Sequence, residues 1–311
     1  LPNRHIAAVD LGTNSFHLII ADVKGNGSFE IVDRRREIIR IGSHKMGYLP
    51  FITDDEISRS IEILIAYKRL ADEYKAEIKA VATSAIRESS NGKEFVEKIF
   101  NETLIRVEII SGKREAELIF SGAAKAVNLR DKNILVIDTG GGSTEIIFGN
   151  NDKIIFAESL KLGSVRLSRK FFPDYILSPE KIEHCRNFIK NELMKRSYMV
   201  SKFSYDTFIG ASGTILSAAA TIYFIKHKYF PEKLNGREFR VEDLTEFTGR
   251  VLSGLTKEER LSIPGIEEKR ADILPAGLLI LNELFAFFNI NTLTLSEYGL
   301  REGMIISSLM F

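Results

Sequence analysis

The chain has one cysteine, Cys185, in 311 residues. No disulfide can form within it, which removes the small stapled scaffolds and fits a reducing, cytoplasmic setting. Long uncharged apolar runs are missing, so no membrane-spanning helix is expected. The opening residues, LPNRHIAAVD, run straight into a strand pattern, and no signal peptide is expected. Charge of one sign is not in excess: 43 Lys and Arg face 42 Asp and Glu, for a net +1. That balance gives no global basic field to suggest nucleic acid, so any affinity for anions must be local. Pro- or Ser-rich linkers and low-complexity stretches are also missing, so the parts of the chain should pack closely. Glutamine is absent, while Lys, Arg, Glu and Ile are abundant. Such a composition is expected of a thermophilic source.

What is present is a sizeable apolar fraction, 44%, enough for one large domain or two of ordinary size. HIAAVDLGTNSFHLIIADV reads as strand, Gly turn, strand, and GSFEIVDRRREIIRIG supplies more strand. Thr53 followed by DDEISRSIEILIAYKRLADEYKA reads as a helix with acids in its first turn. IKAVATSAIRE and RVEIISGKREAELIFSGAAKAV each read as strand into helix. Strands followed by strand–helix alternation signal an α/β domain.

The pattern occurs twice. VDLGTNSFHLII and IDTGGGSTEIIF share Asp-x-Gly-x-x-Ser before an apolar strand, which pairs Asp10 with Asp138, Gly12 with Gly140 and Ser15 with Ser143. AVATSAIRE and FIGASGTIL pair Ser84 with Ser212 at the same spacing of 128 residues. A third pair, Arg114-Glu115 and Arg301-Glu302, is wider, so the second half carries an insertion, expected over about 222–272. The chain reads as a duplicated domain.

The repeated turn has a chemical purpose. Glycines such as Gly140, Gly141 and Gly142 let successive backbone N–H groups converge without side-chain obstruction. The hydroxyls of Ser15, Ser143 and Thr144 add donors. Such a turn suits phosphate oxygens without a lysine. Two turns facing one another would clamp a phosphate from both sides. Asp10 and Asp138 end their strands just before the turns, placed to hold a divalent cation directly or through water. His17, inside an apolar run, reads as a structural partner and not as a metal ligand.

Paired Asp-x-Gly turns in duplicated α/β halves resemble the actin-like phosphotransferase superfamily. AAVDLGTNSFHLIIADV, ATSAIRES, VEIISGKREAELIFSGA, VIDTGGGSTEI and IGASGTILSAAA narrow the resemblance to the exopolyphosphatase and guanosine pentaphosphate phosphohydrolase family, as do GIEEKRADILPAGLLIL and SEYGLREGMI. The similarity covers nearly the whole chain and resembles the short, two-domain form. It implies duplicated actin-like (ribonuclease H-like) α/β domains with an interdomain cleft. Residues 1–120 would form the first domain and 121–296 the second, with a final helix at about 297–311 packing back on the first. The implied activity is hydrolysis of the terminal phosphoanhydride of inorganic polyphosphate, or of pppGpp to ppGpp. By this resemblance Glu115 matches the catalytic glutamate, as general base or water positioner. Asp138 and Glu145 match the other acids, serving metal and water, with Asp10 as a further metal ligand. Arg87 matches a phosphate-binding position. Gly12, Thr13, Asn14, Ser15, Ser84, Gly140, Gly141, Gly142, Ser143, Gly210, Ser212 and Gly213 complete the phosphate-binding set. Mg²⁺ or Mn²⁺ is the expected cofactor. Polyphosphate and guanosine penta- or tetraphosphate are the expected partners, with neither nucleic acid nor membrane, in a monomer or homodimer. An ATP-dependent small-molecule kinase on the same fold, or a non-catalytic sensor of ppGpp or polyphosphate, stands as the alternative. SGKREAEL and the retention of Glu115 favour the hydrolase.

Overall fold

The computed structural model describes residues 4–42, 44–46, 49–126, 132–150 and 153–309. The chain divides into two compact units, 1–122 with 300–311, and 123–299.

The first unit starts with three strands, β1 (Arg4–Leu11), β2 (Ser15–Val23) and β3 (Phe29–Ile38). Each pairs antiparallel with the next. A short hairpin, β4 (His44–Met46) and β5 (Leu49–Phe51), precedes helix α1 (Asp54–Glu73). The acids expected at that helix start form a capping box: the Thr53 amide donates to Glu56 Oε2 at 2.9 Å, and the Glu56 amide donates to Thr53 Oγ1 at 3.3 Å. Then come β6 (Glu77–Ala82), α2 (Ser84–Glu88), α3 (Gly92–Thr103), β7 (Val107–Ile109) and α4 (Gly112–Ala126). Both β6 and β7 join the sheet in parallel, giving the order β3-β2-β1-β6-β7. Ile6 to Val9 are all buried, as a strand covered on both faces requires. One face packs Val9, Leu11 and Leu18 with Leu64, Phe95 and Ile99. The other packs Ile6, Ala8 and Ile19 with Leu118 and Met304.

The second unit repeats this plan. β8 (Asn133–Thr139), β9 (Thr144–Asn150) and β10 (Lys153–Leu160) form the antiparallel meander. Three helices follow, α5 (Ser164–Phe171), α6 (Pro179–Met194) and α7 (Tyr198–Lys202). β11 (Thr207–Gly210) leads into α8 (Gly213–His227). The segment expected to be inserted holds β12 (Glu238–Arg240), α9 (Val241–Ser253), α10 (Lys257–Leu261) and a 3₁₀ turn, Glu268–Arg270. It leads to α11 (Leu274–Phe287) and β13 (Thr292–Leu295). The sheet order is β10-β9-β8-β11-β13-β12, with β11 parallel to both β8 and β13 and β12 antiparallel at the edge. Without β12, this is the topology of the first unit, so the sequence repeat is a repeat of fold. α11 is apolar on nearly every side and forms the centre of this unit's core. Cys185 is buried on α6, and burial pushes its thiol up to about 12.

The last helix, α12 (Leu300–Ser307), packs on β1 and β2 of the first unit. It begins four residues after Ser296, because the Tyr298 amide donates to Ser296 Oγ at 3.2 Å and the Ser296 hydroxyl donates to the Tyr298 carbonyl at 2.7 Å. That local turn competes with a helix start. Residues 310 and 311 of the expected helix lie outside the described residues.

Candidate active site

In the first unit β1 ends at Leu11 and β2 begins at Ser15, so Gly12, Thr13 and Asn14 form the connecting turn. The Asn14 carbonyl accepts from the Ile39 and Arg40 amides, both at 3.1 Å. Thr13 Oγ1 and Ser84 Oγ lie 3.0 Å apart. This bond ties the turn to the start of α2. Asp10 precedes the turn and pairs in register with His17. Its Oδ1 is enclosed and has no hydrogen-bond partner. Burial pushes the Asp10 carboxyl up to about 7; the Arg301 charge opposes the rise, while Glu115 and Glu302 add to it.

Glu115 lies in the first turn of α4, where its amide donates to the Ser111 carbonyl at 2.9 Å. It is 6% exposed. Arg87, in the last turn of α2, donates from Nη1 to Glu115 Oε2 and to the Ile110 carbonyl, each at 2.9 Å. Burial raises the Glu115 carboxyl above the usual carboxylate range, and the Arg87 charge and hydrogen bond oppose that rise. Two further partners emerge from the fold. Arg301 Nη1 lies 3.0 Å from His17 Nδ1, and His17 Nε2 lies 2.8 Å from Ser15 Oγ. Glu302 is wholly buried, with Arg34 at 3.5 Å.

In the second unit the Gly turn packs its carbonyls onto the start of α5. Gly140 O accepts from Ser164 N at 3.0 Å, Gly141 O from Val165 N at 2.9 Å, and Gly142 O from Arg166 Nε at 2.6 Å. The Gly140 amide closes the turn on the Ser143 carbonyl at 2.9 Å. With the carbonyls committed to α5, the amides of Gly141, Gly142 and Ser143 are the donors this turn can offer a ligand. Gly163 makes that contact possible: a Cβ there would lie 2.4 Å from the Gly141 oxygen. Thr144 does not face outward as a donor. Its hydroxyl is buried and donates to the Leu162 carbonyl at 2.6 Å. Asp138 pairs in register with Glu145, so their side chains share one sheet face. Glu145 is 2% exposed and accepts from Ser159 Oγ at 2.7 Å. Gly210 ends β11 and Gly213 opens α8. Between them Ser212 Oγ accepts from the Ile215 amide at 3.0 Å as helix cap.

The first unit thus gathers Asp10, Gly12, Thr13, Asn14, Ser15, Ser84, Arg87 and Glu115. The second gathers Asp138, Gly140 to Ser143, Glu145, Gly210, Ser212 and Gly213. Among the described residues no group of three or more His, Cys, Asp or Glu is arranged to hold a metal by itself. Asp138 and Glu145, opposite one another on one strand pair, nevertheless offer the oxygen donors that a divalent cation takes. A magnesium ion usually takes only one or two carboxylates, with waters and substrate phosphates completing its shell. Gly163, Ser159 and the Arg301–His17 pair were not marked by the turn motif. Arg301 is flagged by its place in the repeated Arg-Glu dipeptide and in the segment SEYGLREGMI, and Gly163 by nothing in its own segment.

Fold and site together define a duplicated α/β protein in which each unit sets a Gly-containing turn beside an acidic residue at a strand end. The profile of the Ppx/GppA phosphatase family matches residues 19–310. A Haemophilus influenzae protein whose exopolyphosphatase name is itself provisional is 30% identical over 308 residues, spanning 98% of this chain and 91% of that one. The crystal structure of the Aquifex aeolicus member of the Ppx/GppA family superposes with a TM-score of 0.81 at 30% identity, over 99% of this chain and 98% of its own. That of an exopolyphosphatase from Cytophaga hutchinsonii gives 0.89 at 27% identity, over the same 99% and 98%. The chain belongs to the Ppx/GppA phosphatase family.

Proposed function

We propose that the chain hydrolyses the terminal phosphoanhydride of inorganic polyphosphate, and of pppGpp to give ppGpp, releasing phosphate. Membership of the Ppx/GppA family and the polyphosphate named for its relatives support the substrate class. The observation that carries the chemistry is the half-buried Arg87–Glu115 pair at 2.9 Å. Glu115 is the general base. Its carboxylate takes a proton from a water molecule while the water oxygen bonds to the terminal phosphorus. The bridging P–O bond breaks, and the shortened chain leaves as the anion. A base works best with its proton affinity near the working pH, and burial moves Glu115 in that direction. Arg87 holds the carboxylate in place through Nη1 and opposes the rise that burial causes, and its Nε and Nη2 serve the terminal phosphate.

The turn amides of Gly141, Gly142 and Ser143 in the second unit are donors suited to non-bridging phosphate oxygens, and the hydroxyls of Ser15 and Thr13 are the polar groups of the matching turn in the first. Transfer of this kind depends on positioning and on balancing charge that is already present. Asp138 and Glu145 of the second unit are the residues that would hold Mg²⁺ or Mn²⁺, and Asp10 is the acid at the same place in the first unit. When bound, the cation would neutralise phosphate charge. The test is phosphate release from long polyphosphate and from pppGpp with no acceptor added. Glu115→Gln should abolish turnover while polyphosphate still binds. Loss of binding with turnover retained would overturn the assignment.

A further inference from the structure

We infer that Arg301 and His17 form a positioning pair that aims the Ser15 hydroxyl proton at the ligand of the first unit's turn. The inference rests on the reading of that turn as a phosphate site.

Each link follows from what its atoms can do. Arg301 Nη1 lies 3.0 Å from His17 Nδ1. A guanidinium has only donors, so Nδ1 must present its lone pair. The imidazole then carries its proton on Nε2. Nε2 lies 2.8 Å from Ser15 Oγ, so His17 donates and the serine oxygen accepts. The serine hydrogen is thereby left to point elsewhere. Ser15 is 6% exposed, and among the described residues its Oγ has no protein partner but His17. A buried hydroxyl proton without a protein acceptor awaits one from outside. The turn in which it sits offers a place for an anionic oxygen.

The sister position in the second unit shows what the pair changes. Asp10 pairs with His17 across β1 and β2, as Asp138 pairs with Glu145 across β8 and β9. Where the second unit places a carboxylate two residues after its turn serine, the first places a ring anchored by a cation. A carboxylate at position 17 would accept from Ser15 and turn its proton away from the ligand. The imidazole, locked in one tautomer by Arg301, does the reverse. Arg301 thereby acts through two other side chains, without itself needing to reach the substrate.

Three variants separate this role from simple packing. Gln at position 17 can accept from Arg301 and donate to Ser15, keeping the polarity of the chain. Glu can still pair with Arg301 but must accept from Ser15, so the polarity reverses. Leu removes both bonds. Inhibition by inorganic phosphate and the KM for polyphosphate report binding, while kcat reports the step at phosphorus. Calorimetric binding of tripolyphosphate gives affinity independently of turnover. His17→Gln should stay within about threefold of the parent in all of these. His17→Glu should weaken phosphate and tripolyphosphate by at least about tenfold, the loss of one hydrogen bond to a charged group, with its melting temperature held within a few degrees. His17→Leu should lose both affinity and stability. The tautomer itself is read from the ¹⁵N shifts of labelled histidine, with Nδ1 expected unprotonated. A protonated Nδ1, or affinity in His17→Glu equal to that in His17→Gln, overturns the inference while leaving the hydrolase reading intact. A parent protein that neither binds nor cleaves polyphosphate overturns both.

Discussion

Gly303→Ala tests whether α12 holds the helix that bears the proposed base. A Cβ at Gly303 would lie 1.8 Å from the Leu118 carbonyl oxygen, 2.6 Å from its carbon and 3.0 Å from its Cα. All three are backbone atoms of α4, so no rotamer change relieves the clash. The two helices must part by roughly 1.5 Å before an ordinary van der Waals contact returns. Overpacking of this kind costs about 1–3 kcal/mol, and the better helix propensity of Ala offsets up to about 1 kcal/mol of that. A net loss of about 2 kcal/mol lowers the melting temperature of a domain this size by roughly 5–10 °C. Leu118 lies one turn beyond Glu115 on α4, so a displaced α4 carries the carboxylate with it. A misplacement near 1 Å at a reacting group costs on the order of 100-fold in rate. The measurements are scanning calorimetry, then phosphate release from polyphosphate well below the melting onset. Gly249→Ala is the control, since a Cβ there meets nothing within 4 Å; it should melt at or above the parent. If Gly303→Ala melts within about 2 °C of the parent and turns over normally, the close approach of α12 to α4 is wrong.

Gly163→Ala should push on the turn backbone at Gly141 and Gly142, raising the KM for polyphosphate by roughly tenfold or more, the loss of one charge-assisted hydrogen bond; an unchanged KM would show that those amides do not bind substrate. The acid limb of kcat should lie above the usual carboxylate range, because Glu115 must be ionised and burial raises it. Removing the charge in Arg87→Met should move that limb to still higher pH, so the variant loses most activity at mildly acidic pH and regains part of it on the alkaline side. A limb that shifts down would contradict the pairing. Excess chelator should abolish turnover and Mg²⁺ or Mn²⁺ should restore it, since Asp138 and Glu145 stand opposite one another; full activity in chelator would remove the metal from the proposal.

The duplication was legible because it is written locally. Asp-x-Gly-x-x-Ser lies within six residues, and the alternation of strand and helix shows in the apolar pattern of each segment. The topology of each sheet followed, since a meander and two crossover strands are what such an order packs into. What stayed hidden was set by contacts distant in sequence. Arg301 meets His17 across 284 residues, and no local pattern ties them together. Gly163 and Gly303 look like ordinary loop and helix glycines until another backbone is laid against them. Thr144 failed as a donor for a related reason: its hydroxyl satisfies the Leu162 carbonyl, an acceptor that only the return of β10 brings near. The start of α12 at Leu300 follows a turn that Ser296 closes on Tyr298, a contact that the apolar pattern of the segment does not show.

A duplicated fold gives two copies of one turn, and the difference between the copies is where function enters. Asp10 and Asp138 keep the same place at the end of the same strand. Two residues past the turn serine, however, one copy carries His17 and the other Glu145. The imidazole pairs with a cation and donates to its serine, which favours an anionic oxygen. The carboxylate adds a second negative charge beside Asp138, which favours a cation. Identical turns would offer a ligand the same chemistry twice. Divergent ones place an imidazole bound to a cation in one unit and an acid pair in the other. The proposed base, Glu115, belongs to the first unit. There Arg87 donates to Glu115 at 2.9 Å and opposes the rise in proton affinity that burial imposes on its carboxyl.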